Sequence, residues 1–380
     1  MSTTVMAVGA WLKNAACLVV DGKAVWTPMH GDLSDPAACE ALENSVQALL
    51  RQADAAGVPV QAIAHDLHPD FFSTRLAIEQ ASALGVPAIG VQHHHAHVAA
   101  VVAEHALTEP VIGLALDGVG LGTDGGAWGG ELLWLHGANW KRLGHLHELA
   151  LPGGDRAARE PWRMAASVLQ ALGRGAQITP RFAPRVGEAL ASGVQQMLSQ
   201  NFNCPRTSST GRWFDAAAGA LGLCLRQTDE AEAAIALEAA AARWLVQHPN
   251  AMPLSGALID EHHRLDLRGL LAALLDATAD DVDAAAAGFH LALADALATW
   301  AIQAANERNC RIVCLGGGCF FNRILRERML MHLQAAGLRV LQPIEKGCGD
   351  AGLALGQAWV AAQQLIHSPS RSWKETEPCV

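Results

Sequence analysis

Tyrosine is missing from all 380 residues, and aromatic residues make up only 5% of the chain. No phenolic group is therefore available for chemistry, and nothing in the sequence gives a physical reason for the absence. Cys-x-x-Cys pairs are also missing: the cysteines number nine, an odd count, and lie scattered without a disulfide rhythm. That pattern excludes a zinc-ribbon module and points to reduced, mostly buried thiols, with Cys310, Cys314 and Cys319 as small apolar fillers beside a buried strand. Positive charge is short, and the formal net charge of −10 argues against a nucleic-acid partner. No uninterrupted run reaches the ~20 apolar residues that cross a bilayer, so no membrane partner is expected. The stretch Val5 to Val20 is broken by Lys13 and Asn14 and followed by Asp21-Gly22, which reads as a hairpin strand and not as a signal peptide. Together these absences predict a cytoplasmic protein.

Half of the residues are apolar, with abundant Ala and Gly, as in a globular α/β chain long enough for two packed subdomains. A hairpin is predicted from Ala15 to Trp26, turning at Asp21-Gly22, then a helix from Pro36 to Ala56. A strand over 60–64, a helix over 74–84 and a strand over 87–91 follow. A second round starts at Val111-Ile-Gly-Leu-Ala-Leu116, which ends in Asp117-Gly118 and has Gly129 to Leu135 as its hairpin partner. The strand, Asp-Gly turn, strand pattern thus occurs once in each half, a hint of duplicated subdomains. Residues 155–300 read as a helical insertion. After it come a strand over 311–315, the run Gly316-Gly-Gly318, a helix from Asn322 to Ala336, a strand over 339–341 and a helix from Ala351 to Ile366. The predicted division is 1–108, with the last helix packing back on it, and 109–366, before a disordered tail over 367–380.

The most informative segment is His93-His94-His95-Ala96-His97, where a strand passes into a helix. His93 and His97 are four apart, so they share one helix face and can grip one metal ion, leaving positions open for carboxylate, water or substrate. The bland alternative is a solvated His-rich turn with adventitious metal affinity. His94 and His95 point elsewhere, to a supporting or surface role. Asp117 sits at the C-terminal end of a strand, where α/β folds gather ligands, although Asp-Gly is also an ordinary turn. Asp350, inside Gly347-Cys-Gly-Asp-Ala-Gly352, either caps a helix or turns toward a metal. Two His with one or two Asp fit Fe(II), Mn or Zn, and the ligand set alone does not choose. Gly316 to Gly318 could cradle a phosphate without being a Walker loop, and Asn322 could bond a sugar or base.

Ordered motifs resemble one family along nearly the whole chain: Val8-Gly-Ala-Trp-Leu-Lys-Asn14, His65-Asp-Leu-His-Pro69, Val91-Gln-His-His-His-Ala-His97 and Leu116-Asp-Gly-Val-Gly120. Trp128-Gly-Gly-Glu131, Leu151-Pro-Gly-Gly-Asp155, Ser208-Ser-Thr-Gly-Arg212, Phe214-Asp215, Gly316 to Asn322 and Gly349-Asp350 continue the match. The chain resembles the C-terminal catalytic domain of the HypF carbamoyltransferases of [NiFe]-hydrogenase maturation. The resemblance implies two fused ribonuclease-H-like subdomains of the actin and sugar-kinase type with a nucleotide cleft between them. It implies a divalent metal, Fe(II) first and Zn, Mn or Mg as alternatives, on His93, His97, Asp117 and Asp350. Gly129, Gly130, Gly316, Gly317 and Gly318 would line the phosphates of an adenine nucleotide, and Asp215, Glu238 and Asn322 would hold its nucleoside. Lys13 and Arg212 are the implied cations for phosphate or carbamoyl oxygens, unless they are plain surface charges.

The implied reaction moves a carbamoyl group from carbamoyl-adenylate, or from carbamoyl phosphate, to the C-terminal cysteine of a HypE-type partner, the source of cyanide ligands. Two features depart from the family. The acylphosphatase, zinc-binding and adenylate-forming domains are absent from this sequence, so either a separate adenylate-forming domain or protein is an expected partner or carbamoyl phosphate is used differently. The family's Tyr-Glu-Gly segment reads Asp229-Glu-Ala231. A stand-alone carbamoyl-phosphate hydrolase and an inactive nucleotide-binding paralogue are the competing expectations; a tRNA threonylcarbamoyl enzyme is disfavoured by the His-rich wording and the acidic charge.

Overall fold

The computed structural model describes residues 3–367, so the tail expected over 367–380 lies outside the described residues except for His367. The first half contains strands β1 (Thr4–Ala7), β2 (Cys17–Val20) and β3 (Lys23–Trp26) and helix α1 (Pro36–Ala55). Strand β4 (Ala62–Asp66), helix α2 (Phe72–Leu84), strand β5 (Ala88–Val91) and helix α3 (His93–Glu104) complete it. The second half opens with β6 (Val111–Leu121), β7 (Ala127–His136), β8 (Asn139–His145) and β9 (Leu149–Ala150). The insertion then runs through α4 (Asp155–Arg159), α5 (Pro161–Ala171), α6 (Ile178–Val186), α7 (Glu188–Ser199), β10 (Arg206–Thr207), α8 (Thr210–Leu221) and α9 (Glu232–Gln247). It closes with β11 (Leu258–Ile259), β12 (Leu265–Asp266), α10 (Arg268–Asp276) and α11 (Val282–Glu307). Last come β13 (Ile312–Gly316), α12 (Arg323–Ala335), β14 (Arg339–Leu341) and α13 (Leu353–His367).

The two halves repeat one topology. The first sheet has the order β3-β2-β1-β4-β5, with the hairpin antiparallel and β1, β4 and β5 parallel. The second contains β8-β7-β6-β13-β14 with the same alternation of directions, extended beyond β7 by β10 and β9. This is a duplicated ribonuclease-H-like fold of the actin and sugar-kinase type. Local signals agree with it: Asp35 accepts a bond from Ala37 N at 2.9 Å to cap α1, and Leu42, Val46, Leu49 and Ala53 give that helix its buried stripe. One apolar core, shared by both halves, has α3 and α13 at its centre, with Val5 and Ala7 of β1 joined to Val111 and Ala115 of β6. The two helices cross so closely that a Cβ on Gly356 would lie 1.8 Å from Ala96 O, so only glycine fits at the crossing.

Two expectations change. Asp117-Gly118 is no hairpin turn: β6 continues to Leu121, and the actual turn spans Gly122 to Gly126. The β6–β7 register shifts between Leu116↔Gly130 and Gly120↔Trp128, so Asp117, Gly118 and Val119 bulge out of the ladder. Asn322, expected as the first residue of a helix, is the N-cap of α12, because Gly318–Phe321 first form a 3-10 turn. Helix α11 is long and apolar enough to cross a membrane by composition, yet it is mostly buried inside the fold, with Phe289 and Trp300 fully enclosed.

Candidate active site

Strand C-termini deliver the site, as parallel α/β sheets dictate. The end of β5 passes through Gln92, whose Oε1 accepts from His95 N at 2.8 Å, and so starts α3 with His93 and His97 on its inner face. The bulge in β6 presents Asp117, and the short 3-10 turn Asp350–Gly352 ahead of α13 presents Asp350. One ligand atom from each of these four residues lies within 4.8 Å of the other three. His97 Nε2 is 2.9 Å from Asp117 Oδ2 and 3.4 Å from Asp350 Oδ1; His93 Nε2 is 3.5 and 3.6 Å from the same two oxygens. His93 Nε2, His97 Nε2 and Asp117 Oδ2 are buried and complete no aligned hydrogen bond. Buried atoms of this kind are costly unless something takes their lone pairs. Two imidazoles and two carboxylates converging in this way fit a divalent metal.

Electrostatics agree with that geometry. Burial opposes the charged form of His93, but Asp350, Asp117 and Asp66 outweigh it and hold the imidazole well above its ordinary pKa. Burial likewise opposes ionised Asp350, and the two histidines outweigh it, pushing the carboxyl down to about 2. Asp117 is held well below the usual carboxylate range by the same two histidines, against its burial. The cluster is thus a set of charges poised against one another.

Asp66, which the sequence reading did not single out, ends β4, and its Oδ2 accepts from His93 Nδ1 at 2.8 Å. That bond directs the Nε2 lone pair at the cluster, in the arrangement by which carboxylates orient ligating histidines. Asp66→Asn keeps the shape and removes the charge, so metal affinity is expected to fall about 10–100-fold, measured by metal competition titration. His95 stacks on Trp140 at a centroid distance of 4.8 Å, and burial lowers its pKa to about 3. His94 is fully buried and bonded to Gln92 Nε2 at 3.0 Å. Both are enclosed supporting groups, not surface ones.

A cleft of about 380 Å³ opens from Asp117 and is lined by Lys13, Gly211, Arg212, Asp215, Glu238, Gly318 and Asn322, with Ile235 and Phe321 as apolar walls. Lys13 adopts a φ of +46° in the loop after β1, where Asn14 Nδ2 donates to Val8 O and Ala10 O and Gln357 brackets Gly9. Its ammonium meets Glu230 Oε2 at 2.8 Å. Arg212 meets Asp215 Oδ2 at 2.5 Å, and burial still raises the Asp215 pKa against that neighbour. Glu238 Oε1 accepts from Arg323 N at 2.7 Å, which joins α9 to the start of α12. Ala231 takes a left-handed φ of +61°, a strained setting for alanine at the position where the resembled family carries glycine.

The glycines divide. Gly318 lines the cleft, its Cβ position 3.3 Å from Asp117 Oδ1. Gly316 instead packs under His97, Gly317 under Leu116, Gly129 under Ser209 and Gly130 under Ser208; each would place a Cβ 3.0 Å or less from those neighbours' backbone. Gly317 N is already bonded to Cys348 O, and Gly129 N and Gly130 N to Glu131 Oε1. These four let protein segments approach one another, whereas Gly318 faces the cleft.

Asn322 is engaged at both ends of its amide: Oδ1 accepts from Leu325 N at 2.9 Å and Nδ2 donates to His290 Nε2 at 3.0 Å. Burial drops the His290 pKa to about 4, and its Nδ1 donates to Ala286 O. An unfolded imidazole titrates near 6.5, so between about 6.5 and 4 the unfolded chain binds the extra proton. Stability is intact above that window and is expected to fall by up to about 3 kcal/mol across it as pH drops. Urea titrations at several pH values should show the acid slope shrinking in His290→Gln.

Two family models match the sequence: a HypF Kae1-like domain over residues 1–104, and a carbamoyltransferase Kae1-like domain, second subdomain, over residues 113–357. The carbamoyltransferase HypF homolog of Cupriavidus necator is 58% identical over 383 residues, covering 99% of this chain and 96% of that one. Carbamoyltransferase HypF2 of the same organism is 48% identical, covering 95% of this chain and 47% of its own length. A crystal structure of full-length HypF in the phosphate- and nucleotide-bound form superposes with a TM-score of 0.83 at 29% identity, covering 96% of this chain and 56% of the other. The chain therefore spans nearly all of one relative and about half of the other two.

Proposed function

The chain belongs to the HypF carbamoyltransferase family, and from that premise we propose that it transfers a carbamoyl group to a protein thiol in [NiFe]-hydrogenase maturation. The donor is carbamoyl-adenylate, or carbamoyl phosphate, and the acceptor is the C-terminal cysteine of a HypE-type partner in the cytoplasm. The observation that carries this reading is the convergence of His93, His97, Asp117 and Asp350 at the end of a cleft whose walls hold Lys13, Arg212, Asp215, Glu238 and Asn322.

Those four residues would hold a divalent metal, Fe(II) by resemblance, which supplies Lewis-acid polarisation of the carbamoyl or phosphoryl oxygen. Asp66 fixes the tautomer of His93. Asp215, Glu238 and Asn322 hold the nucleoside, Gly318 lets the chain come close to the donor, and Lys13 and Arg212 face its phosphate once released from Glu230 and Asp215. The acceptor thiolate comes from outside the chain. Both thiols near the cleft are held protonated: burial pushes Cys348 up to about 11 and raises Cys319 well above its ordinary value. Neither competes as a nucleophile at neutral pH.

Incubation of the metal-loaded protein with carbamoyl-adenylate and the partner should carbamoylate the partner's terminal cysteine, read by mass spectrometry. An unmodified partner would overturn the proposal. Phosphate release from carbamoyl phosphate without transfer would instead establish the hydrolase alternative.

A further inference from the structure

One cation on the cleft wall forms no ion pair among the described residues, although Asp117, Asp229, Glu230 and Asp350 line the same space. Arg159 ends α4 and lines the part of the cleft nearest the metal cluster, a space of about 280 Å³ shared with Asp117, Asp350, Gly318, Lys13 and Arg212. Lys13 is committed to Glu230 and Arg212 to Asp215. The Arg159 guanidinium makes no ion pair or hydrogen bond among the described residues, although the next residue is a glutamate. That glutamate is taken: Glu160 pairs with Arg156 at 2.9 Å, with Arg226 at 3.4 Å and with buried Arg163.

The stem of Arg159 is nevertheless held in place. Gln227 N donates to Arg159 O at 3.0 Å, and Gln227 Nε2 donates to Ala158 O and lies 3.4 Å from Asp215 Oδ1. Gln227 Oε1 accepts from Ala233 N at 3.1 Å, which ties the same network to α9. The backbone is thus fixed to the frame that holds Asp215, while the charged head stays open to the cleft. A planar guanidinium with free donors matches the oxygens of a phosphate or carboxylate in a two-point bond.

We propose that Arg159 is a binding residue for a substrate oxyanion beside the His93–Asp350 cluster. The inference rests on the carbamoyl-transfer reading for its choice of anions. Such an anion comes either from the adenylate phosphate of the donor or from the C-terminal carboxylate of the acceptor. Lys13 and Arg212 would each have to leave a carboxylate to take this role; Arg159 would not.

Calorimetric binding to the metal-loaded protein separates the sources without needing turnover. Arg159 is exposed and its side chain holds nothing else, so R159Q should unfold at the wild-type urea midpoint. If the donor supplies the anion, R159Q binds AMP about 10–100-fold more weakly and adenosine as before, with R159K between the two. If the acceptor supplies it, AMP is unaffected. A peptide ending in cysteine with a free carboxylate then loses its advantage over the same peptide amidated. AMP and both peptides binding R159Q as they bind the wild type would overturn the proposal. A protein that binds AMP through Arg159 but transfers no carbamoyl group would refute the transfer reading alone.

Discussion

His97→Ala is expected to lose the bound metal and to lower kcat/KM for carbamoyl transfer by about 10³-fold or more. Removing Nε2 takes away the atom nearest Asp117 and leaves a single imidazole facing two carboxylates. A Lewis acid contributes several kcal/mol of charge stabilisation, and each 1.36 kcal/mol is tenfold in rate, so losing about 4 kcal/mol corresponds to about 10³-fold. Adenosine binding should persist, because Asp215, Glu238 and Asn322 do not touch His97. Metal content by mass spectrometry and adenosine binding by calorimetry therefore separate a lost metal from a lost fold. Undiminished transfer by a metal-free His97→Ala protein would show that the cluster is not the reactive centre.

Glu131→Ala is expected to be the most damaging single change to stability, by about 3–5 kcal/mol. The carboxylate is fully buried in β7; Oε1 accepts from Gly129 N at 3.0 Å, from Gly130 N at 3.2 Å and from Ser208 Oγ at 2.5 Å. Oε2 meets Arg142 Nε at 2.6 Å, and that guanidinium lies 3.8 Å over the Trp128 ring. Truncation strands two backbone donors, a hydroxyl and a cation at once. Glu131→Gln keeps an acceptor for the glycine amides and should cost less, the difference reporting the charge alone. Urea midpoints with unchanged slopes would measure both. Metal affinity should weaken as well, since Ser208 is followed by Ser209, whose hydroxyl holds the carbonyls of Asp117 and Gly118 in the bulge.

The parts of this site that can be read from sequence are those carried by local periodicity. His93 and His97 are legible because a helix brings i and i+4 together, and Asp117 because a buried strand ends near it. Asp66 is not, since its contact with His93 depends on β4 lying parallel beside β5, a long-range pairing with no local signature. Arg159, in an Ala-rich helical stretch, looks like any solvated surface charge until its carboxylate neighbours are found to be taken. Glycines are ambiguous for a different reason: the missing Cβ shows that something comes close, not what. At Gly316 and Gly317 it is His97 and Leu116, and only at Gly318 is it the cleft. Likewise Asp117-Gly118 has the composition of a turn, and the two-residue excess that makes it a bulge becomes visible only opposite Gly129.

The crossing of α3 and α13 at Gly356 and Ala96 has a consequence in time as well as in space. Asp350 and α13 are made after His93, His97 and Asp66. A growing chain can fold its first sheet and start α3 long before the fourth ligand exists, and the core between the sheets closes only when α13 arrives. Four-ligand loading of the centre therefore waits for α13. An unfinished chain should carry two exposed imidazoles without the carboxylate that completes the grip.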